Sequence, residues 1–335
     1  MGLTIRDLDL YINGQQILYE INLDVKSGEL FSILGDNGCG KSTLLRAIAG
    51  LAPCSAGTIT LDDEIVDSYP PESRNIAMVF KGFRLFPNLS VLENAALPLK
   101  IAGYNKTDRL SRASKMIQMM KLDEVTGLRP AEISAIYRGR VAIAQALLTQ
   151  PALILMDEPF SGLDGPQRTE MRKLIREVHD RFEITTIFVT NDQDDAMMMS
   201  DRMAFMLEGE IMQCDKPSQV YNFPATLDIA KYFCNGNTIP GTVKNGRFES
   251  GAIILHTPDL PDGSCEAMIR PGIISVALGQ GEFEVEHIEY LGDYQRLYVK
   301  RNDCSLNFVT GLSGNYKVGD MIDLRIEDGK ALFYR

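Results

Sequence analysis

The sequence predicts an α/β protein with a parallel sheet, followed by a small all-β domain, and three observations lead to this fold. The apolar run at 30–34 is followed by a glycine-rich loop and then by a helical pattern. Two more apolar runs, 152–156 and 185–190, flank an amphipathic segment from about 167 to 182, an alternation typical of parallel sheets. After about residue 235, short alternating runs separated by Gly, Pro, Asn and Asp favour antiparallel strands.

The remaining elements can be justified in chain order. Segments 3–12 and 17–25 alternate polar and apolar residues around a turn, which predicts the opening of an antiparallel sheet. The apolar run 76–80 predicts a further strand of the parallel sheet. The segment from about 91 to 148 is rich in Leu, Ala, Lys, Arg and Met at helical spacing, so we expect a helical insertion there.

The length favours two folding units, since 335 residues exceed the roughly 100–200 residues of one typical domain. The change in sequence texture places the boundary, so we expect one domain over residues 1–235 and a second over residues 236–335.

The charge distribution argues against nucleic-acid binding. The chain has 34 basic and 45 acidic residues, a net charge of −11, and an ordinary globular content of 45% hydrophobic residues. Before residue 236 there are 24 basic and 31 acidic residues, and after it 10 and 14, so the acidic excess is shared. Since no basic segment stands out, we expect no nucleic-acid partner.

Three further sequence features indicate a cytosolic protein with reduced thiols. The segment Met1–Gln16 lacks the basic and apolar regions of a secretory signal, and no stretch approaches the ~20 apolar residues that cross a bilayer. The six cysteines include no C-x-x-C pair, and with three histidines they fit neither a zinc site nor a disulfide framework.

A phosphate-binding loop is predicted at residues 35–43, which match G-x-x-x-x-G-K-[ST] between a strand and a helix. The glycines let backbone N–H groups point into one concavity, Lys41 reaches the outer phosphates, and the Ser42 hydroxyl suits Mg²⁺. A glycine-rich turn without a ligand is the alternative. The candidate nucleotide-binding residues here are Asn37, Gly38, Cys39, Gly40, Lys41, Ser42 and Thr43.

A second motif supports the first, because the apolar strand 152–156 ends in the carboxylates Asp157 and Glu158. Asp157 is placed to bind Mg²⁺ together with Ser42, and Glu158 can polarise an attacking water molecule. Solvated charges at a strand end are the alternative for an isolated Asp-Glu pair. The combination with the phosphate loop favours a nucleotide site.

With Ser161-Gly-Leu-Asp164 directly after these residues, the sequence resembles the ATP-binding subunit of an ABC transporter over nearly its whole length. It is most similar to importer ATPases of the iron(III), polyamine and sugar type, whose C-terminal domain is OB-like and regulatory. Short matches at 236–241 and 268–271 fall where such proteins enter and cross that domain. The resemblance implies a P-loop ABC nucleotide-binding domain with an antiparallel β subdomain and a helical insertion, followed by an OB-like domain.

The resemblance also implies ligands and partners. The cofactors are ATP and Mg²⁺, with Tyr11 stacked on adenine, although a tyrosine in an edge strand is the alternative. Two ATP-binding subunits, as a homodimer or a heterodimer, close head to tail around two ATP molecules. Asp164 belongs to this site. The further partners are transmembrane permease subunits and, indirectly, a solute-binding protein, and the chain is expected to be cytoplasmic and peripheral on the inner face of the cell membrane.

Three positions depart from the family pattern. The signature Leu-Ser-Gly-Gly-Gln is replaced by residues 133–137, where Ser134 is kept but Ile136 stands at a glycine that approaches the γ-phosphate. Lys81 replaces a Gln that touches Mg²⁺ and the water, and would repel Mg²⁺ or bind phosphate. Asn191 replaces a His, and an amide can bond phosphate but carries no charge and relays no proton.

These observations lead to two hypotheses of function. In the first, the chain is the ATP-binding subunit of an import system and couples Mg-ATP binding and hydrolysis to solute transport. In the second, it is a nucleotide-binding regulatory or structural subunit with little or no intrinsic ATPase activity, either by itself or paired with an active ATPase. The kept Glu158 implies hydrolysis, whereas Lys81, Asn191 and the 133–137 segment predict slow turnover.

Overall fold

The computed structural model of the chain describes residues 2–234, 236–251, 253–257, 259–277, 281–327 and 329–335. The chain divides into two compact units, Met1–Val220 and Tyr221–Arg335. Asn235, the last residue of the expected first domain, lies outside the described residues, and the boundary at 235/236 stays a prediction.

The first unit combines strands and helices, which alternate one by one between residues 153 and 207. In chain order they are β1 (Gly2–Ile12), β2 (Gln15–Lys26), β3 (Leu30–Leu34), α1 (Lys41–Ile48), β4 (Ala56–Leu61), β5 (Glu64–Ile65), β6 (Ile76–Val79), α2 (Val91–Ile101), α3 (Lys106–Met119), α4 (Ala135–Leu148), β7 (Leu153–Asp157), α5 (Gly165–Phe182), β8 (Thr185–Thr190), α6 (Gln193–Met199), β9 (Arg202–Leu207) and β10 (Glu210–Asp215). A short helix, α7 (Pro217–Asn222), follows at the division between the units.

The first sheet has four strands in the order β2-β1-β4-β5, and its pairs are antiparallel. Apolar residues of β1 and β2 alternate toward the core, with Leu3, Ile5 and Ile21 buried. This confirms the antiparallel opening that the alternation predicts. Strand β1 lies between β2 and β4, but its pairing with β4 ends at Asp9, and Tyr11 pairs with Gln16 of β2.

The second sheet has six strands in the order β10-β9-β3-β8-β7-β6, and its inner pairs are parallel. Strands β3, β7 and β8 are buried along their whole length, because both faces of a parallel sheet are covered. The loops after β3, β6, β7 and β8 therefore start at one edge of the sheet, where such folds place their ligands. The predicted site residues after these strands are thereby brought to a common edge.

The helical insertion expected over 91–148 is confirmed by α2, α3 and α4. Helix α2 begins with a capping box, in which Ser90 and Glu93 exchange hydrogen bonds between side chain and backbone. Helix α3 begins with Asn105 as its N-cap, and α4 follows Ser134. Within the described ranges, no helix combines the length and apolarity that crossing a membrane requires.

The second unit is built mainly from strands, which confirms the expected all-β C-terminal part. It contains α8 (Leu227–Phe233), β11 (Asn237–Lys244), β12 (Arg247–Ser250), β13 (Ile253–His256), β14 (Gly263–Ile269), β15 (Ile274–Ala277), β16 (Phe283–Tyr290), β17 (Tyr294–Arg301), β18 (Cys304–Gly311), β19 (Met321–Ile326) and β20 (Leu332–Tyr334). The sheets have five strands each, in the orders β13-β12-β11-β14-β20 and β15-β19-β16-β17-β18. Asn237 of β11 is buried, and its side-chain amide donates to the carbonyl oxygen of Asn307 in β18 over 2.9 Å.

Candidate nucleotide-binding site

The loop between β3 and α1 requires glycine at two positions, one for steric reasons and one for its backbone conformation. A Cβ atom on Gly35 would lie 2.1 Å from the carbonyl oxygen of Met206, which is shorter than any van der Waals contact. Gly40 has a φ of 107°, in the left-handed region, and caps the N-terminus of α1. The backbone thus curls tightly around the start of α1, where N–H groups and the helix dipole favour a phosphate anion.

Lys41 is almost fully buried, with 4% of its surface exposed, inside the loop. Its ammonium nitrogen donates to the carbonyl oxygens of Gly35 over 2.7 Å and Asp36 over 2.6 Å, and it lies 3.7 Å from the Cys39 sulfur. These bonds satisfy a charge that burial would otherwise penalise. Burial also raises the pKa of the Cys39 thiol, and Lys41 opposes that rise.

Ser42 and Asp157 meet across the edge of the sheet, as their motifs predict. The Ser42 hydroxyl donates to Asp157 Oδ1 over 2.6 Å, and the Asp157 side chain is buried at the end of β7. A hydroxyl and a carboxylate are hard oxygen ligands, and Mg²⁺ is usually held by one or two carboxylates together with substrate phosphates and water. These residues therefore fit a magnesium ion that arrives with a nucleotide.

Glu158 follows directly and is held in a constrained backbone conformation. Its φ is 46°, and its N–H donates to the carbonyl oxygen of Val189 over 3.1 Å. Its side chain is only 14% exposed, and its Oε2 atom lies 2.6 Å from the ammonium nitrogen of Lys81. The sequence identified both residues as candidates but gave no sign that they contact each other.

Asn191 links the end of β8 to the phosphate loop, because its side-chain amide donates to Asn37 Oδ1 over 3.2 Å. Both side chains line a cavity of about 290 Å³ at the edge of the parallel sheet. Its polar lining includes Asn37, Lys81, Glu158, Arg168, Thr190, Asn191 and Asp192. The structure thus brings all three candidate catalytic residues, Lys81, Glu158 and Asn191, to one cavity beside the loop.

The other predicted site residues lie elsewhere in the first unit. Asp164 is the N-cap of α5, where its Oδ1 accepts from the N–H of Gln167 over 2.9 Å. Ser134 is exposed at the N-terminus of α4. The Tyr11 hydroxyl donates to Gln16 over 2.7 Å. The described lining of the cavity includes none of these three predicted residues.

Ile136, the residue at the position of a signature glycine, is directed into the protein. Its side chain is 7% exposed and belongs to the core cluster that contains Phe83 and Met171. The β-branched side chain therefore packs in the core and does not project from the exposed end of α4.

A buried ion-pair network beside the cavity is absent from the sequence prediction. Asp195 is fully buried and accepts from Arg168 Nη2 over 2.6 Å and from Arg172 Nε over 2.9 Å. Arg168 also pairs with Asp192 over 3.0 Å. Burial raises the pKa of the Asp195 carboxyl, and the hydrogen bonds from Arg168 oppose it. The four-residue spacing of the arginines on α5 is the only sequence signal, since it puts them on one helix face.

Comparison with known proteins finds relatives of the chain. The family model described as ABC transporter matches residues 18–161. The chain is 36% identical over 289 residues to the sulfate/thiosulfate import ATP-binding protein CysA of Caulobacter vibrioides, covering 85% of each chain. It is 38% identical over 262 residues to the spermidine/putrescine import ATP-binding protein PotA of Thermotoga maritima, covering 78% of this chain and 71% of that protein.

Two solved structures share the fold of about two thirds of the chain. The ATP-binding cassette MJ0796, solved as a post-hydrolysis dimer with ADP and phosphate, aligns with a TM-score of 0.58 and 30% identity, over 64% of this chain and 98% of that one. The protein cbiO1 of Clostridium perfringens, part of an ABC transporter complex, aligns with a TM-score of 0.61 and 28% identity, over 65% of this chain and 90% of that one.

A phosphate loop, a carboxylate-ended strand and a helical insertion on one parallel sheet define a nucleotide-binding protein, and with these relatives the chain belongs to the ABC transporter family. Within that family it is an ATP-binding subunit of the importer type.

Proposed function

We propose that this chain binds Mg-ATP and couples its binding and hydrolysis to solute import through separate transmembrane permease subunits. The observation that carries the proposal is the 2.6 Å contact between Ser42 of the phosphate loop and Asp157 of β7. It joins a hydroxyl and a carboxylate beside the helix N-terminus, which is the arrangement that Mg-nucleotide requires. The relatives are named for the import of sulfate, sn-glycerol-3-phosphate and spermidine, so the solute stays unassigned.

The proposed hydrolysis assigns one task to each residue group. Lys41 and the loop amides would bind the β- and γ-phosphates, and Ser42 and Asp157 would hold Mg²⁺, which would supply positive charge against the phosphates. The oxygen of a water molecule bonds to the γ-phosphorus while the bond to the β,γ-bridging oxygen breaks. Glu158 orients that water and accepts its proton, and the products are ADP and inorganic phosphate.

The proposed partners follow from the same assignment. A second ATP-binding subunit, identical or different, closes over the exposed edge of the site, and the permease subunits hold both on the cytoplasmic face of the membrane. A solute-binding protein completes the system. The alternative of a nucleotide-binding regulatory subunit with little hydrolysis is favoured by the Lys81–Glu158 contact of 2.6 Å, and it shares the same ATP site.

The ATP site is tested by Lys41→Ala, with calorimetry of Mg-ATP binding. Removal of the ammonium takes away charge-assisted hydrogen bonds to phosphate, so we expect the Kd to rise at least about 10-fold. Lys115→Ala, at an exposed lysine on α3, is the matched control and should leave the Kd unchanged. An unaltered Kd in Lys41→Ala would remove the basis for the proposed site.

A further inference from the structure

We propose that Lys81 is an internal counterion of Glu158, which occupies the carboxylate in the nucleotide-free protein and slows ATP hydrolysis until it is displaced. The inference rests on the proposed function, since it describes how the same site is restrained. It assigns to Lys81 a positioning role that acts through Glu158, in place of the phosphate binding or Mg²⁺ repulsion considered from the sequence.

The register of the parallel sheet places Lys81 and Glu158 near each other. Strands β6 and β7 pair in parallel with Val79 opposite Met156. Lys81 and Glu158 each stand two residues beyond this matched pair, just after their strands end, so the register brings both residues to the same end of adjacent strands. The sheet thus places the two residues within reach of each other, and the lysine side chain closes the contact to 2.6 Å.

The two side chains of the ion pair differ in how firmly the protein fixes their positions. Glu158 has a left-handed φ of 46°, a backbone hydrogen bond to Val189 and a side chain that is 14% exposed, so its position is determined by the strand end. Lys81 has a side chain that is 55% exposed on a flexible four-carbon stem. The ammonium can therefore move away while the carboxylate stays in place.

The chemical consequence concerns the water molecule. A carboxylate activates water by accepting its hydrogen bond, and an ammonium at 2.6 Å occupies an acceptor site and neutralises the charge that would take the proton. Asn37 of the phosphate loop lines the same cavity as Lys81 and Glu158. The ion pair therefore lies beside the loop at which the nucleotide would bind.

The first test compares steady-state ATP hydrolysis by Lys81→Gln, Lys81→Arg and the wild type. If Lys81 restrains Glu158, Lys81→Gln should raise kcat about 10-fold, which corresponds to about 1.4 kcal/mol of barrier, with KM changed less than about twofold. Lys81→Arg keeps a cation and should gain less. The gain should disappear in the Lys81→Gln, Glu158→Gln double variant, and Lys115→Gln should leave kcat unchanged.

A kcat that falls or stays constant in Lys81→Gln overturns the proposal, and a fall together with a raised KM would identify Lys81 as a phosphate ligand instead. This failure differs from that of the proposed function, because a chain without an ATP site would show no Mg-ATP binding by calorimetry in either the wild type or Lys81→Gln.

The second test needs neither nucleotide nor turnover. Reductive methylation of lysines in the nucleotide-free protein is followed residue by residue by mass spectrometry, with Lys115 as the internal reference. An ion pair withdraws the amine from reaction, so Lys81 should react at least about twofold faster in Glu158→Gln than in the wild type, relative to Lys115. Equal rates would show that the ion pair does not form in solution and would overturn the proposal.

Discussion

Asp195 shows how a single residue organises the end of β8 behind the candidate site. Its carboxylate is fully buried and accepts from Arg168 on α5, from Arg172 one helical turn later and from the Thr190 hydroxyl at the end of β8. Thr190 directly precedes Asn191, which donates to the phosphate loop. The position of Asn191 is therefore tied to a buried charge network.

The first prediction at this scale is that Asp195→Asn destabilises the protein by about 2–4 kcal/mol, because it leaves two guanidinium groups without their shared carboxylate. The expected loss of stability is smaller than for a fully buried ion pair, because both arginines are partly exposed. Urea denaturation measures the loss. Asp180→Asn, at an exposed acidic residue of the same helix, is the control and should change stability by less than about 0.5 kcal/mol. A similar small change in both variants would show that the network does not contribute.

A site residue could be predicted from the sequence where a short motif of neighbouring residues contains it. Lys41, Ser42 and Asp157 each follow a strand within a motif, and the sequence indicated that they converge, as the Ser42–Asp157 contact shows. The Lys81–Glu158 and Arg168–Asp195 contacts depend on strand register and on helix packing. A single sequence does not encode these relations in any short pattern, so they became visible only in the structure.

At the scale of elements, hydrophobic periodicity predicted the parallel strands to within one or two residues. The runs at 76–80, 152–156 and 185–190 became β6, β7 and β8 because each is rich in apolar or β-branched residues, and β7 and β8 are buried along their whole length. The orientation of α4 was harder to predict from the sequence. Its apolar residues surround most of the helix, so the sequence did not indicate that Ile136 is directed toward the core.

The burial of Ile136 leads to a prediction for α4. Replacing it with the family's glycine should cost about 3–5 kcal/mol, because Ile136→Gly leaves a cavity in the core and adds glycine flexibility to the first turn. Thermal or urea unfolding measures the loss. Ala135→Gly, at the half-buried neighbour, should cost about 1 kcal/mol or less and serves as the control.

Equal effects of the two glycine substitutions would show that Ile136 does not support the core. If the prediction holds, the glycine signature cannot be restored in this chain by simple substitution. The signature segment 133–137 would then be adapted to its own core as well as to any partner that approaches the exposed Ser134.

At the scale of the whole molecule, the division into two units bears on which part of the chain the ATP site needs. The nucleotide-site residues precede residue 220, and the first unit ends at Val220. Helix α8 belongs to the second unit, where Phe233 packs edge-to-face on Tyr221 and the Arg270 guanidinium stacks over Tyr221 at 4.1 Å. We therefore expect α8 to depend on the second unit, although the sequence texture changes only after it.

The division into two units can be tested by comparing chains that end at residue 220 and at residue 234 with the full chain. Both should bind Mg-ATP with a Kd within about twofold of the full chain, because compact units commonly fold independently. The longer chain keeps α8 without the strands of its unit and should leave Ile229, Ala230 and Phe233 exposed to solvent. It should therefore bind more of a hydrophobic dye and aggregate sooner than the chain that ends at residue 220. Loss of ATP binding in the shorter chain would show that the first unit needs the second to fold, and equal dye binding would place α8 with the nucleotide-binding unit.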